Sequence, residues 1–317
     1  MKRKIIYVFM VFILVACCQN KYQQINWKHP ITIPTSDIVY HTILNDPNNL
    51  AIGKDVLGFY NIDPGMSTKI DHELPLITPY YLNSETIVAI QKLGFPGMTH
   101  EFSGYILIFS KNNYLSCDTP DATGWDIQPY KGNVLIDSNI GINLINSTDC
   151  SLIQTVLLHD QFAGSKGKFF IGPYSLSSNG NFIIVESDKK LYNINLSNFE
   201  VFDYYKDGSY PSISPNQKQI VYTGLNDGIH LMDINGEVDR IISRFEPNTN
   251  DTYGSVRGIP PRPHWSSDGK KLIYHKCTAA GISNGCTEIN DYSIYIYDFA
   301  SQIESKIIDG GLNPSWR

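Results

Sequence analysis

The order of hydrophobic and polar positions along this 317-residue chain repeats itself. The clearest copy is Pro263-His264-Trp265-Ser266-Ser267-Asp268-Gly269-Lys270-Lys271-Leu272-Ile273-Tyr274-His275. A proline opens it, an aromatic follows two places later, a polar turn ends in Asp-Gly, and an apolar run comes next. Proline has no N–H for a sheet ladder, so it fits the first residue or the open edge of a strand. Asp-Gly supplies the positive φ angles of a tight hairpin. The pattern predicts a short strand, a turn and a second, apolar strand. Related copies begin at Pro79, Pro129, Pro173 and Pro211, and the chain stops on a half copy, Pro314-Ser315-Trp316-Arg317. These prolines are 50, 44, 38, 52 and 51 residues apart. Segments such as Lys190-Leu191-Tyr192-Asn193-Ile194 and Ser293-Ile294-Tyr295-Ile296-Tyr297-Asp298 add a third strand to each copy. Stretches such as 238–245 and 303–308 add a fourth. A period of ~40–50 residues with four strands in each predicts a ring of sheets whose closure protects the strand edges.

The unit resembles the TolB-type propeller repeat, P-x-W-S-P-D-G-K-x-I followed by an Asp-ended strand, over roughly residues 42–317. The resemblance implies an all-β fold, a six-bladed β-propeller of four-stranded antiparallel blades. Seven blades would follow if Asp37–Leu44 and the C-terminal strand completed separate blades. A terminal P-x-W strand in TolB becomes the inner strand of the first blade. Pro314–Trp316 is expected in that role, paired with Asn49–Gly53. The α/β domain that precedes the propeller of TolB has no counterpart here, so TolB's partner-binding role does not simply carry over.

The N-terminus changes the picture. Lys2, Arg3 and Lys4 precede an apolar run from Ile5 to Val15, too short to span a bilayer, and then Leu14-Val15-Ala16-Cys17. This order resembles a bacterial lipoprotein signal, which implies cleavage before Cys17 and acylation of its thiol. The expected organisation is a signal peptide at 1–16, a lipidated N-terminus and tether at 17–36, and the propeller domain at 37–317. The expected location is the cell envelope, with the outer membrane favoured because Cys18 follows Cys17. The whole chain carries 25 basic and 31 acidic residues, and loss of residues 1–16 removes three basic ones and leaves a net charge of −9. That balance argues against nucleic acid as a partner.

Six cysteines invite pairing in an exported chain. Cys277 and Cys286 flank a loop of small residues and are expected to bond. Cys117 and Cys150 lie in neighbouring copies with nothing in their spacing to join them, and are expected as buried free thiols. Cys18 is left over. His72-Glu73 is followed by Leu-Pro-Leu rather than a second zinc-binding histidine. Gly164-Ser165-Lys166-Gly167-Lys168 lacks phosphate-loop spacing, and no Cys/His set has zinc spacing. No metal and no cofactor is expected, and the chain is expected not to be an enzyme.

Topology separates two ends. In a four-stranded meander the first-to-second and third-to-fourth turns share one end. The second-to-third loops and the connections between units share the other. All the long segments, 92–104, 118–126, 159–171, 246–262 and 276–292, fall on the second end. Loops longer than connection requires usually carry function. The candidate partner contacts there are His100, Trp125, Tyr253, Arg257, Arg262 and His264, since aromatic and arginine side chains make interface anchors. The leading expectation is a monomeric, lipid-anchored protein that binds an envelope protein or peptide, an acidic one given Arg257 and Arg262. The alternative is a propeller enzyme or carbohydrate-binding protein acting on an envelope polysaccharide.

Overall fold

Six runs are apolar at three consecutive positions: Ile38-Val39-Tyr40, Ile87-Val88-Ala89, Val134-Leu135-Ile136, Ile183-Ile184-Val185, Ile220-Val221-Tyr222 and Leu272-Ile273-Tyr274. A strand with one wet face alternates apolar and polar residues; a strand covered on both faces reads as a continuous run. None of these eighteen side chains is more than 6% exposed. Each therefore lies in the middle of a sheet packed between two others. The computed structural model describes residues 36–46, 49–63, 65–70, 76–91, 105–110, 113–118, 127–138, 141–161, 172–225, 227–245, 260–278, 286 and 289–317.

Unit I holds β1 (Ile38–Asp46), β2 (Asn49–Asn61) and β3 (Met66–Ile70). Unit II holds β4 (Leu76–Asn83), β5 (Thr86–Gln91), β6 (Tyr105–Ser110) and β7 (Asn113–Asp118). Unit III holds β8 (Ile127–Tyr130), β9 (Asn133–Ser138), β10 (Gly141–Ile145) and β11 (Leu152–Leu158). Unit IV holds β12 (Tyr174–Leu176), β13 (Phe182–Ser187), β14 (Lys190–Asn195) and the first half of β15 (Val201–Ile213). Unit V takes the second half of β15, then β16 (Gln219–Gly224), β17 (Gly228–Asp233) and β18 (Asp239–Arg244). Unit VI holds β19 (His264–Trp265), β20 (Lys271–Cys277), β21 (Tyr292–Asp298) and β22 (Ile303–Asp309). The last strand, β23 (Leu312–Trp316), returns to unit I as its first strand.

All pairings are antiparallel. Residues up to Asp207 of β15 pair with β14 and residues from Gly208 pair with β16, so one continuous strand serves two sheets. Counted among the described residues, the strands make six four-stranded units. The closing strand pairs Trp316 with Ile38 and Ser315 with Val39. The expected partner, Asn49–Gly53, instead begins β2, the third strand of the unit. The reason is that β1 already fills the second position, with the same Ile-Val-Tyr run as unit V, so a single unit takes both terminal strands.

The inner strands hold one another in a circle. Trp316 Nε1 donates to the His264 carbonyl at 3.3 Å, Trp265 Nε1 to the Ser212 carbonyl at 3.0 Å, and Ile213 N to Ser175 Oγ at 3.1 Å. Gln128 Nε2 donates to the Tyr174 carbonyl, and Tyr81 N to Ser315 Oγ at 3.4 Å. Units II and III share an apolar cluster through Tyr80 and Ile127, which closes the circle. Within the sheet of unit I, Tyr40 of β1 pairs with Gly58 of β2. The Tyr40 ring lies over Gly58, where an added Cβ would come within 2.2 Å of it.

At the turn end, serine and an Asx residue fix the hairpins. Ser266 Oγ donates to Asp268 Oδ1 at 2.7 Å and accepts from Lys271 N at 2.9 Å. Ser214 with Asn216, and Ser177 with Asn179, repeat this. Gly269 and Gly180 take the positive φ that follows, and Gln217 takes it in unit V at 59°.

Candidate functional site: the loop end of the ring

Each second strand runs from the turn end toward the opposite, loop end. After its three apolar residues comes a fourth position, on the same face as the second. The second position packs against the following unit: Leu135 against Tyr174 and Ile183, Ile184 against Ile220 and Tyr222, Val221 against Leu272 and Tyr274, and Ile273 against Ile38 and Tyr40. The fourth position faces the same seam, and it is polar in most units: Asp137, Glu186, Thr223 and His275, none more than 8% exposed. Unit II has Ile90 at this place and unit I has His41.

Buried polar atoms must find partners, since an orphan costs about 1–3 kcal/mol. Three of the four find them where the chain enters the next unit. Glu186 accepts from Ser209 Oγ at 3.0 Å and from Lys189 N at 3.0 Å. Thr223 Oγ1 donates to the Pro261 carbonyl at 2.8 Å, and His275 Nδ1 accepts from Asn313 N at 3.2 Å. Asp137 instead meets His159, Nε2 to Oδ1 at 3.1 Å, just past the end of its own fourth strand. Burial raises the pKa of the Asp137 carboxyl, and the hydrogen bond from His159 offsets part of that. Burial likewise raises the pKa of Glu186, against the opposing bonds from Lys189 N and Ser209. These two carboxyls face successive seams, III/IV and IV/V, so they do not form a facing acid–base pair. Among the described residues, no three His, Cys, Asp or Glu side chains are grouped to hold a metal ion.

Two larger networks start from Tyr222 and Tyr274, which occupy the same place in the repeat. Asp239 accepts from the Tyr222 hydroxyl at 2.8 Å, from His230 Nδ1 at 3.0 Å and from Lys206 Nζ at 3.1 Å. The other ring nitrogen of His230 meets Asp227 at 2.8 Å, so one imidazole spans two carboxylates. Glu304 accepts from Tyr274 at 2.5 Å, Ser243 at 2.6 Å and Lys276 at 2.7 Å. Burial pushes the Asp239 and Glu304 carboxyls up, but these bonds outweigh it and hold both below their ordinary values. Burial, with the adjacent carboxylates adding to it, raises both tyrosines. The networks tie outer strands across the IV/V and V/VI seams.

Cys277 is bonded to Cys286, with Cα atoms 5.8 Å apart, which closes the loop after β20 at this end. Cys117 is bonded to Cys150, Cα to Cα 5.5 Å, which corrects the expectation of free thiols. The two belong to one apolar cluster spanning units II and III, so packing of the sheets brings them together where sequence spacing does not. Two of the candidate contacts, Arg262 and His264, lie in the segment that leads into and begins β19. Arg262 is 6% exposed, with its guanidinium 4.6 Å from the Tyr210 ring centre. The His264 ring meets the Tyr80 ring edge-on at 5.0 Å, and its Nε2 is buried with no hydrogen-bond partner among the described residues. Burial first, and the Arg262 charge second, lower the pKa of this imidazole to about 3. Both residues belong to the segment entering the inner ring, where Arg262 is buried and His264 half-buried. Cys17, His100, Trp125, Tyr253 and Arg257 lie outside the described residues.

The sequence matches no family model, and no curated protein matches it. Solved structures are similar in shape. One is a protein from Agrobacterium tumefaciens named as a candidate TolB, 13% identical, with a TM-score of 0.55, covering 82% of this chain and 92% of its own. Another is a Bacteroides uniformis protein named as a candidate 6-phosphogluconolactonase, 12% identical, with a TM-score of 0.50, covering 88% of this chain and 98% of its own. The chain is a β-propeller. At these identities the likeness concerns the propeller fold alone.

Sequence reading missed the fourth-position residues, although a signal exists: a polar residue directly after five of the six apolar triplets. It also missed a serine spacing. Gly281-Ile282-Ser283-Asn284-Gly285 reads G-x-S-x-G and lies within the loop that Cys277 and Cys286 close. The chemistry of that motif depends on a strained strand-to-helix turn above a parallel sheet. Here the flanking strands of the propeller, β20 and β21, are antiparallel neighbours.

Proposed function

We propose that this propeller is a lipid-anchored binding protein of the bacterial cell envelope, and that its loop end captures a protein or peptide partner. The observation that carries the reading is the difference between the two ends. The turn end closes on short hairpins that satisfy their own polar groups. At the loop end, buried polar residues fasten the entering chain to the strand beside it, and three of the five long segments, 159–171, 246–262 and 276–292, begin or end at or next to such a residue: His159, Pro261 and His275. A rigid base under long connections suits recognition, because variation in the loops does not disturb the ring. Acylation of Cys17 supplies the membrane attachment. With Arg262 drawn into the ring, Trp125, Tyr253 and Arg257 are the remaining candidate anchors for an acidic partner, with His100 as a further candidate.

The test is capture from envelope extracts with the full chain. Tyr253→Ala combined with Arg257→Glu is expected to abolish recovery of the partner, while Lys270→Glu with Lys271→Glu, at the turn end, leaves it intact. Loss with the second pair and not the first would overturn the assignment of the face.

A second reading, an enzyme acting on an envelope polysaccharide, draws on the buried Asp137–His159 pair and the raised Glu186. The likeness to a candidate lactonase is compatible with it. It predicts turnover of an envelope glycan that Asp137→Asn removes without loss of fold.

A further inference from the structure

Nine large hydrophobic side chains are well exposed among the described residues. Singly, such residues are ordinary. Their placement is not: eight of the nine lie in a third-to-fourth turn or within the first two residues of a fourth strand. Met66 of unit I is 63% exposed, Leu152 of unit III 59%, Phe202 of unit IV 55%, Val238 of unit V 62% and Ile303 of unit VI 59%. Topology puts all of these at the turn end, on its outer rim. The ninth, Leu158, is at the loop end.

The chain also enters the fold at this end. Asp37 accepts from Ile62 N through its side chain at 2.9 Å and from Arg317 N through its carbonyl at 2.9 Å. The segment that precedes it, with Cys17, is therefore joined to the ring directly beside the exposed Ile62 and Met66. From Cys17 to Ser36 an extended chain reaches at most about 65 Å at ~3.5 Å per residue. A tether of that reach attaches the ring to a surface without orienting it.

We propose that the apolar rim of the turn end rests in the interface of a lipid bilayer, so that the loop end points away from the membrane. This rests on the reading that Cys17 is acylated. The attraction is apolar rather than electrostatic, because the acylated chain carries a net charge of −9 and anionic headgroups repel it. A rim distributed over five units fixes a direction, which one contact cannot do.

The experiment uses the full lipidated protein on phosphatidylcholine vesicles. In a Cys18→Ser background, Phe202→Cys or Lys190→Cys carries an environment-sensitive fluorophore. These positions lie at opposite ends of unit IV. The expected result is co-flotation, with blue-shifted emission at position 202 quenched by nitroxide-bearing lipid, and unquenched aqueous emission at position 190. Flotation with equal emission and quenching at both positions would overturn the rim alone, leaving the anchor in place. If the protein recovered from membranes proves to carry no lipid on Cys17 and does not float, the anchor is overturned, and the rim proposal with it. Blue-shifted emission at position 202 that lipid nitroxide leaves unquenched, and that is lost on dilution, would assign the rim to a second copy and overturn the proposal.

Discussion

Leu312 offers a sharp test of how the ring closes. It is fully buried in β23, packed with Tyr292 and the Cys277–Cys286 bridge. Its strand binds unit I to its neighbours through the Trp316–His264, Asn313–His275 and Tyr81–Ser315 bonds. Leu312→Ala removes most of a buried aliphatic side chain from a site walled by a disulfide and an aromatic ring, which cannot collapse far. Such a change costs about 3 kcal/mol. With ~2.1 cal/mol/K of unfolding entropy per residue over roughly 280 residues, the entropy at the midpoint is about 0.6 kcal/mol/K. The expected loss is therefore about 5 °C in Tm, read by differential scanning calorimetry. Ile303→Ala, at a position 59% exposed, is the control and should move Tm by less than about 1 °C. If Leu312→Ala behaves like that control, β23 is not part of the cooperative unit, and closure by the C-terminus is wrong.

Three further outcomes are expected. The Cys117–Cys150 bridge closes a loop of 33 residues and the Cys277–Cys286 bridge one of 9. Cys117→Ser with Cys150→Ser should then cost about 4 kcal/mol and the second pair about 2.5 kcal/mol on a chain-entropy basis, measured by urea unfolding; equal losses would contradict that account. Glu304 has a lowered folded pKa, so its stabilising contribution is present above the unfolded value of ~4.3 and lost as pH falls through the folded one. Asp137 has a raised folded pKa, so its effect is the reverse: stability falls as pH rises from the unfolded ~3.9 through the folded value. Thermal melts from pH 3 upward should show wild type gaining on Glu304→Gln and losing to Asp137→Asn, and parallel curves would refute the assignment. Gly58→Ala drives a methyl group into the Tyr40 ring and should destabilise by about 1–3 kcal/mol, seen as a lower urea midpoint.

The strands were legible because each unit is buried on two faces and turns on small polar residues, and both leave marks within ten residues of chain. Ile220-Val221-Tyr222 and Ser266-Ser267-Asp268-Gly269 are of this kind. Relations between units leave no such mark. Cys117 and Cys150 meet because two sheets pack, and Trp316 chooses Ile38 because β1 occupies the second place. Arg262 illustrates the limit best: as the end of a long polar segment it reads as exposed, yet its position one residue before Pro263 commits it to the inner ring. The proposed binding face consists of long segments whose residues carry no local pattern, so sequence marks their position in the ring and little more.

The unbroken passage of β15 from unit IV into unit V has a mechanical consequence. Among the described residues no other strand is shared by two units. Between Asp207 and Gly208 the backbone itself crosses the seam and remains bonded to a strand on either side of it. Units IV and V should then move as one lever while other seams flex, and a ring pulled apart should open anywhere but here. For anyone cutting and rejoining the gene, this is the seam at which new termini or an inserted tag would be tolerated least.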